Sequence, residues 1–129
     1  MKLSDLKTNK PSNAVGDFIG MLFYSRNAAH LMHLKTTSFA AHKALNDYYD
    51  GIVGIADSLA ESYQGAYGLI NITIPACTCG DDDPVSYFTE LKSYLDTKRS
   101  LFKQSYHQNI IDEALELVTS TIYKLKFLK

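Results

Sequence analysis

The chain has 129 residues and a mass of 14.4 kDa, which fits one domain spanning residues 1–129. Hydrophobic residues make up 46% and charged residues 21% of the sequence, and these proportions exclude disorder throughout. Thirteen basic and fourteen acidic residues give a formal charge of -1, so we expect at most weak binding to DNA. The apolar runs are interrupted well short of the roughly 20 residues that a membrane span needs, so we expect no membrane segment.

The first twelve residues are polar, include three lysines and lead into a helix start signal, so we expect a mobile arm over residues 1–12. They hold no continuous apolar run followed by a small-residue cleavage site, and we therefore expect no secretory signal and a cytoplasmic protein. Cys77 and Cys79 are separated by one residue, a spacing that we interpret as too close for an easy mutual disulfide. We expect both to be reduced thiols.

The first half of the chain predicts two helices joined by a tight turn. Apolar residues recur at steps of three and four over residues 14–35, which is typical of an amphipathic helix. Residues 36–38, Thr-Thr-Ser, interrupt this pattern and favour helix caps. The pattern resumes at Phe39 and predicts a second helix that ends at about Gln64.

The second half predicts a long connection and two further helices. Residues 65–83 contain three glycines, a proline and several β-branched residues, which break the helical pattern. Asp83-Pro84 offers an N-cap followed by proline at the first helical position, and the apolar stripe of a third helix then runs to Phe102. We predict a break near residues 107–109 and a fourth helix over residues 110–125.

Together these elements predict an all-α protein, a four-helix bundle. Up-and-down bundles use short loops throughout, whereas ferritin-like bundles run one long crossover between their second and third helices. Because the long connection of this chain lies at that place, the pattern favours the ferritin-like arrangement.

Three of the four histidines fall in one short stretch of the sequence. His30 and His33 lie near the end of the first helix, and His42 lies near the start of the second. In an antiparallel hairpin these imidazoles reach similar heights, so two or three of them can converge on a metal ion such as iron, zinc or copper. Histidines at such a hairpin are more often packed polar side chains, and both interpretations stay open here.

Polar residues also form a stripe along the second helix, and they comprise Asn46, Asp50, Asp57 and Glu61. Like charges four residues apart are mildly destabilising unless a cation neutralises them. His42 and Asp57 are fifteen residues apart, which is roughly 22 Å along a helix, so they cannot ligate one ion within one chain. Either the two clusters are unrelated, or a second copy brings its carboxylates to the histidines of the first.

The spacing of five of these residues resembles the ferroxidase motif of the Dps family of mini-ferritins. Between successive positions there are eleven, three, ten and three residues, in the series His30, His42, Asn46, Asp57 and Glu61. The resemblance implies a homo-oligomer, built from two-fold dimers that can close into a dodecamer, with the iron site between two subunits. It implies iron as the metal, with zinc or manganese as other occupants, and it leaves His33 and Asp50 as accessory ligands.

Two departures from the family pattern bear on the chemistry. The family has an aspartate where this chain has Asn46, and a neutral amide is a poorer ligand for a hard cation. The family usually has a tryptophan where this chain has Leu31. We therefore expect weakened ferroxidase activity and iron storage or oxidative protection as the role. The chain is similar to compact, divergent Dps-like proteins of phage genomes, so the expected compartment is the cytoplasm of a bacterium or infected host cell.

The alternative hypothesis belongs to a different class of function. A non-catalytic helical-bundle structural or interaction protein, encoded by a phage, would keep the scaffold without the metal. In that case the hairpin of the first two helices would still dimerise, but no cofactor would be bound.

Overall fold

The four helices are seen in a computed structural model that describes residues 13–129. They are α1 (Ala14–Lys35), α2 (Phe39–Tyr67), α3 (Pro84–Lys98) and α4 (Ser105–Phe127), and a single 3-10 turn at Arg99–Leu101 follows α3. The prediction of an all-α protein with four packed helices is confirmed. The arm predicted over residues 1–12 lies outside the described residues. Among residues 13–129, no helix combines the length and hydropathy that a bilayer crossing requires.

Side-chain caps fix where three of the helices begin. The Asn13 carboxamide oxygen accepts a hydrogen bond from the Gly16 amide, and the Ser38 hydroxyl does the same for Ala41. The Asp83 carboxylate accepts from the Ser86 amide, two residues after Pro84, which lies at the start of α3. Each cap satisfies an N–H group that the first helical turn leaves open, which is worth about 1 kcal/mol.

Helix α1 lies at the centre of the hydrophobic core and is buried on most of its circumference, because α2, α3 and the segment that connects them pack against it. One buried polar pair joins α1 to α2, where the hydroxyls of Ser25 and Tyr48 lie 2.7 Å apart. The largest fully buried side chains are Phe18, Ile19, Leu22, Tyr24, Met32, Leu45, Tyr48, Ile52, Leu59, Phe88, Leu91 and Leu95.

Ring contacts between α2 and the elements beside it define the direction of the helices. The rings of Tyr48 and Phe88 lie 4.6 Å apart and those of Tyr63 and Phe102 lie 5.6 Å apart, so α3 runs in the same direction as α2. In contrast, α4 runs antiparallel to α2, because Lys124 lies 3.8 Å from Asp47 near one end of the pair. Tyr63 contacts His107 at the other end.

Residues 68–83, the crossover, connect α2 to α3 and run along α1. Gly16 and Gly20 lie directly beneath the carbonyl groups of Asn71 and Thr73, where a Cβ atom on either glycine would collide with the oxygen. Further on, Gly80 approaches α1 so closely that a Cβ there would lie 3.4 Å from the Cβ of Leu31. The crossover therefore returns the chain along α1 to the end of the bundle where α3 begins.

The predicted break near residues 107–109 is wrong, since α4 already begins at Ser105 and His107 lies in its first turn. The chain turns instead at Phe102, whose φ of -99° and ψ of 122° are extended. The Gln108 side chain donates hydrogen bonds to the carbonyl oxygens of Arg99 (2.7 Å) and Phe102 (2.8 Å). These bonds satisfy backbone carbonyls between α3 and α4. They stabilise a turn that lies before the break predicted at residues 107–109.

The expectation of reduced thiols is also wrong in the structure, where Cys77 and Cys79 form a disulfide. In an extended chain, residues two apart point to the same side. Their Cα atoms are 5.6 Å apart, which lies within the usual range for disulfides. The crossover is extended at this point, and the two cysteines consequently face the same way.

Candidate functional site on the α1–α2 hairpin

His33 and His42 form a reciprocal clasp between α1 and α2. Nδ1 of His33 lies 2.7 Å from the carbonyl oxygen of His42, and Nδ1 of His42 lies 2.9 Å from the carbonyl oxygen of His33. Because a carbonyl oxygen only accepts, each imidazole carries its proton on Nδ1 and donates it. The two rings stack with their centroids 3.6 Å apart. His42 thereby satisfies a carbonyl in the last turn of α1, where the helix itself supplies no partner.

His30 is one turn before the clasp and stacks on a tyrosine. Its ring centroid lies 4.3 Å from that of Tyr49, and the Arg26 guanidinium lies 5.5 Å from the same tyrosine ring. Burial lowers the pKa of His30 below its usual value, and the charges of Arg26 and His33 lower it further. His30 is consequently neutral at physiological pH.

The Asn46 side chain is held within α2. The Tyr49 hydroxyl donates a 2.6 Å hydrogen bond to its carboxamide oxygen, and its amide nitrogen donates a 3.0 Å bond to a carboxylate oxygen of Asp50. The carboxamide oxygen, which would have to ligate a metal ion, is therefore already an acceptor within the helix.

Asp57 and Glu61 form an exposed carboxyl pair further along α2. The hydrogen bond from Glu61 to Asp57 raises the pKa of Glu61, and the charge of Asp57 raises it further. Within residues 13–129, neither carboxylate forms an ion pair with a lysine or arginine. The pair is thus a local excess of negative charge on the surface of α2.

The structure brings part of the predicted site together and leaves part of it apart. His30, His33, His42 and Asn46 meet at the turn end of the hairpin, whereas Asp57 and Glu61 lie roughly 22 Å and more beyond His42 along α2. Within residues 13–129, no three histidine, cysteine, aspartate or glutamate side chains are placed to hold one metal ion. The predicted ligands therefore do not assemble in one copy, and a site shared by two copies stays a prediction.

The outward side of the hairpin forms one surface, which we name the α1–α2 face. The middle of this face carries small and apolar residues. Gly54 has no side chain, and no atom lies within 4 Å of the position that a Cβ would take there. Val53 beside it is 40% exposed. Arg26 supplies a positive charge on one side of this middle, and the carboxyl pair lies on α2 beyond it. The residues of the face are Arg26, His30, Asn46, Tyr49, Asp50, Val53, Gly54, Asp57 and Glu61.

Sequence analysis missed a buried histidine at the opposite end of the bundle. His107 is fully buried, and neither of its ring nitrogens has a hydrogen-bond partner among the described residues. Its neighbours are aromatic, with ring centroids 4.5 to 6.3 Å away, and they are Tyr63, Tyr67, Phe102 and Tyr106. In the sequence, the aromatic residues around positions 63–67 and 102–106 were the signal that could have indicated an aromatic cluster around His107.

Comparison with known proteins finds a similarity to a protein of a phage. It is 26% identical over 129 residues to "Uncharacterized 14.6 kDa protein in mobD-ri intergenic region" of Enterobacteria phage T4, and the match covers 99% of this chain and 97% of that protein. No solved structure matches. Residues 33–125 match the model of a family of unknown function, DUF5856, a range that includes His42, Asp57 and Glu61 but begins after His30. The chain therefore belongs to the DUF5856 family.

Proposed function

We propose that this protein is a non-catalytic helical-bundle protein that acts by association, and that its α1–α2 face pairs with the same face of a second copy. The observation that carries the proposal is that, within residues 13–129, no three candidate ligands are placed to hold one metal ion. His33 and His42 are used to close the hairpin, and Asn46 is held between Tyr49 and Asp50. Asp57 and Glu61, which form no ion pair with a lysine or arginine among residues 13–129, present charge to the outside.

The charges of the α1–α2 face complement one another when two copies pair antiparallel. Tyr49 and Asp57 each lie four residues from Val53, so a two-fold axis at Val53 sets Tyr49 of one copy opposite Asp57 of the other. Arg26 lies at the height of Tyr49, with its guanidinium 5.5 Å from that ring. This pairing therefore brings Arg26 of each copy to Asp57 and Glu61 of the other.

The middle of the face also suits close packing of two helices. Gly54 leaves space where a side chain would otherwise hold the second helix away, and small residues permit such close approach. Exposed Val53 supplies apolar surface at the same point. An interface with a small apolar centre and a charged rim is typical of protein–protein contacts.

Charge reversal tests this pairing. Arg26→Glu and Asp57→Arg should each weaken association, as measured by light scattering after size exclusion, because each places like charges opposite one another. The double variant restores opposite charges and should restore the wild-type assembly. Lys98→Glu, on α3 outside the face, is the matched control and should leave the assembly unchanged. Equal association in all four variants would contradict the proposal.

An iron-binding role of the Dps type is the second candidate function, and one observation favours it. Asp57 and Glu61 lie four residues apart on α2 and form no ion pair with a lysine or arginine among residues 13–129, so a metal ion from solution would neutralise their charge. The antiparallel pairing above also sets this pair opposite the His30 and Asn46 region of a second copy. The long crossover and the helix directions support a ferritin-like arrangement as part of this candidate. Native mass spectrometry after incubation with Fe(II) separates the two candidates, because it reports subunits and bound iron together.

A further inference from the structure

The disulfide between Cys77 and Cys79 lies within a single segment of the chain. Its cysteines are two residues apart on the crossover, so the bond joins no helix to another. A disulfide stabilises a fold mainly by closing a loop in the unfolded chain, and the effect is smallest for the shortest loops. A bond that encloses one residue, Thr78, is therefore of little use as a structural cross-link. The chemistry of the two sulfur atoms explains its position better.

The two cysteine side chains differ in their access to solvent. Cys79 is 4% exposed and belongs to the hydrophobic core, whereas Cys77 is only partly buried against it. The chain neighbours of Cys77 on either side, Ala76 and Thr78, are exposed and small. Exchange between a thiol and a disulfide begins when a thiolate reaches one sulfur atom of the bond, so access decides which sulfur is attacked. A thiol from solvent therefore reaches Cys77 more readily than Cys79.

The backbone is also held differently on the two sides of the bond. Residues 71–78 make no backbone–backbone hydrogen bond within residues 13–129. From Cys79 onward the chain is fixed, because the Asp82 amide donates a 3.1 Å hydrogen bond to the Cys79 carbonyl oxygen. Gly80 packs so closely on the end of α1 that a Cβ there would lie 3.4 Å from a side chain of that helix. When the bond opens, Cys77 can thus turn outward while Cys79 keeps its place.

We propose that Cys77 and Cys79 form a reversible redox pair that exchanges with low-molecular-weight thiols and disulfides, with Cys77 as the sulfur that is attacked. A thiolate attacks Sγ of Cys77 to form a mixed disulfide, and Cys79 leaves as a thiolate that takes up a proton. A second thiolate then attacks the small-molecule sulfur of the mixed disulfide, and Cys77 leaves and is protonated. The pair gains two electrons and two protons, and two thiol molecules lose them and become one disulfide. The reverse sequence with a small disulfide reoxidises the pair.

Reduction of the pair should leave the helical bundle folded. The bond connects no two helices, and the contacts of α1 with α2 and of α3 with α4 do not include either cysteine. The pair can therefore change its redox state in the native protein, without unfolding. The site lies on the crossover, which contributes no residue to the α1–α2 face, so it does not depend on the proposed pairing of two copies.

Equilibration of the full chain with reduced and oxidised glutathione at a series of ratios, followed by acid quenching and mass spectrometry, tests the pair. We expect a reversible change between disulfide and dithiol while the helical circular dichroism stays constant. Cys79→Ser should form a mixed disulfide with glutathione at Cys77. Cys77→Ser, whose remaining thiol is buried, should form one at least about tenfold more slowly. Thr78→Ser keeps both cysteines and is the matched control, which should behave as the wild type.

Each other outcome would overturn the proposal. A bond that is reduced only when the helices unfold would be a structural cross-link. Two thiols that stay reduced in excess oxidised glutathione would form no redox pair. Equal rates in the two serine variants would contradict attack at Cys77. If either variant fails to fold, wild-type protein quenched during reduction makes the same distinction, because fragmentation of its peptide locates glutathione. Glutathione found on Cys79 would overturn the assignment.

Discussion

His33 and His42 each donate their Nδ1 proton to the carbonyl oxygen of the other, with the two rings stacked 3.6 Å apart. These two residues, nine apart in sequence, thus close the turn between α1 and α2, because the two Nδ1 donors and the two backbone carbonyl acceptors satisfy one another. This arrangement gives the Nδ1 atoms of both histidines a structural role, and their Nε2 atoms take no part in it.

His42→Ala should lower the free energy of unfolding by about 1–2 kcal/mol. The change removes one donor to the last turn of α1, and it also removes the stacked ring. His42→Asn should recover part of the loss, because its amide nitrogen can donate to the same carbonyl. Urea unfolding measures both variants. Wild-type stability in His42→Ala would show that the clasp does not hold the hairpin.

Acid should destabilise the protein through His30. Its pKa is lowered in the folded state, so between that value and the unfolded value of 6.5 the unfolded chain binds more protons. The stability that neutral His30 contributes is therefore complete above pH 6.5 and declines as pH falls through the folded pKa. His30→Phe keeps the stack on Tyr49 without a titrating group, so its unfolding free energy should decline less between pH 7.5 and 5.5. Parallel pH profiles for the two proteins would contradict this.

Glu61→Gln should slightly stabilise the monomer at neutral pH, raising the midpoint of thermal unfolding by no more than about 2 °C. The pKa of Glu61 is raised above 4.5 when the chain folds, so the folded state binds a proton more readily and the wild type loses stability as pH rises through that pKa. The advantage of the variant should thus disappear near pH 4. Asp47→Asn is the matched control. Asp47 forms ion pairs with Lys43 and Lys124, so the loss of its charge should not stabilise the protein. Samples dilute enough to be monomeric are required.

Gly20→Ala and Gly54→Ala should change stability in opposite directions. A Cβ at position 20 collides with the carbonyl of Thr73, and the crossover must move, at a cost of at least about 2 kcal/mol. A Cβ at position 54 meets no atom within 4 Å, and alanine favours the helix by up to about 1 kcal/mol. Chemical denaturation of the monomeric proteins measures the difference. Equal effects would show that the crossover does not pack on α1.

His107→Phe should stabilise the fold by about 1 kcal/mol. Burial of an imidazole without hydrogen-bond partners costs free energy, and phenylalanine fits an environment of aromatic rings. Thermal unfolding measures the change. A loss of stability would indicate that the ring nitrogens bond to a group outside residues 13–129, such as an ordered water.

The helices were predictable because their signals are local. Asn13, Ser38 and Asp83 cap three of them, and the bounds of α1 follow from its apolar spacing. The start of α4 was not predictable, because it depends on bonds from Gln108 to Arg99 and Phe102 across the corner. The disulfide was missed for a related reason, since its formation depends on an extended backbone at Cys77 and Cys79.

Of the candidate site, the sequence predicted where the histidines lie but not how they are bonded. The sequence correctly placed His30, His33 and His42 at one end of the hairpin, as the ring contacts among them show. It could not reveal that the Nδ1 atoms of His33 and His42 bond to backbone carbonyls, because that depends on the rotation of α1 against α2. Tyr49 contacts both His30 and Asn46. It is not one of the predicted metal ligands, so the spacing of those ligands gave no indication of its role.

Native mass spectrometry of the full chain after incubation with Fe(II) tests the central claim most directly. An associating, non-catalytic bundle predicts a self-associated species without stoichiometric iron, whose assembly is the same before and after incubation. A twelve-subunit species with iron bound at each two-fold contact would contradict this account. That result would instead support the iron-binding candidate.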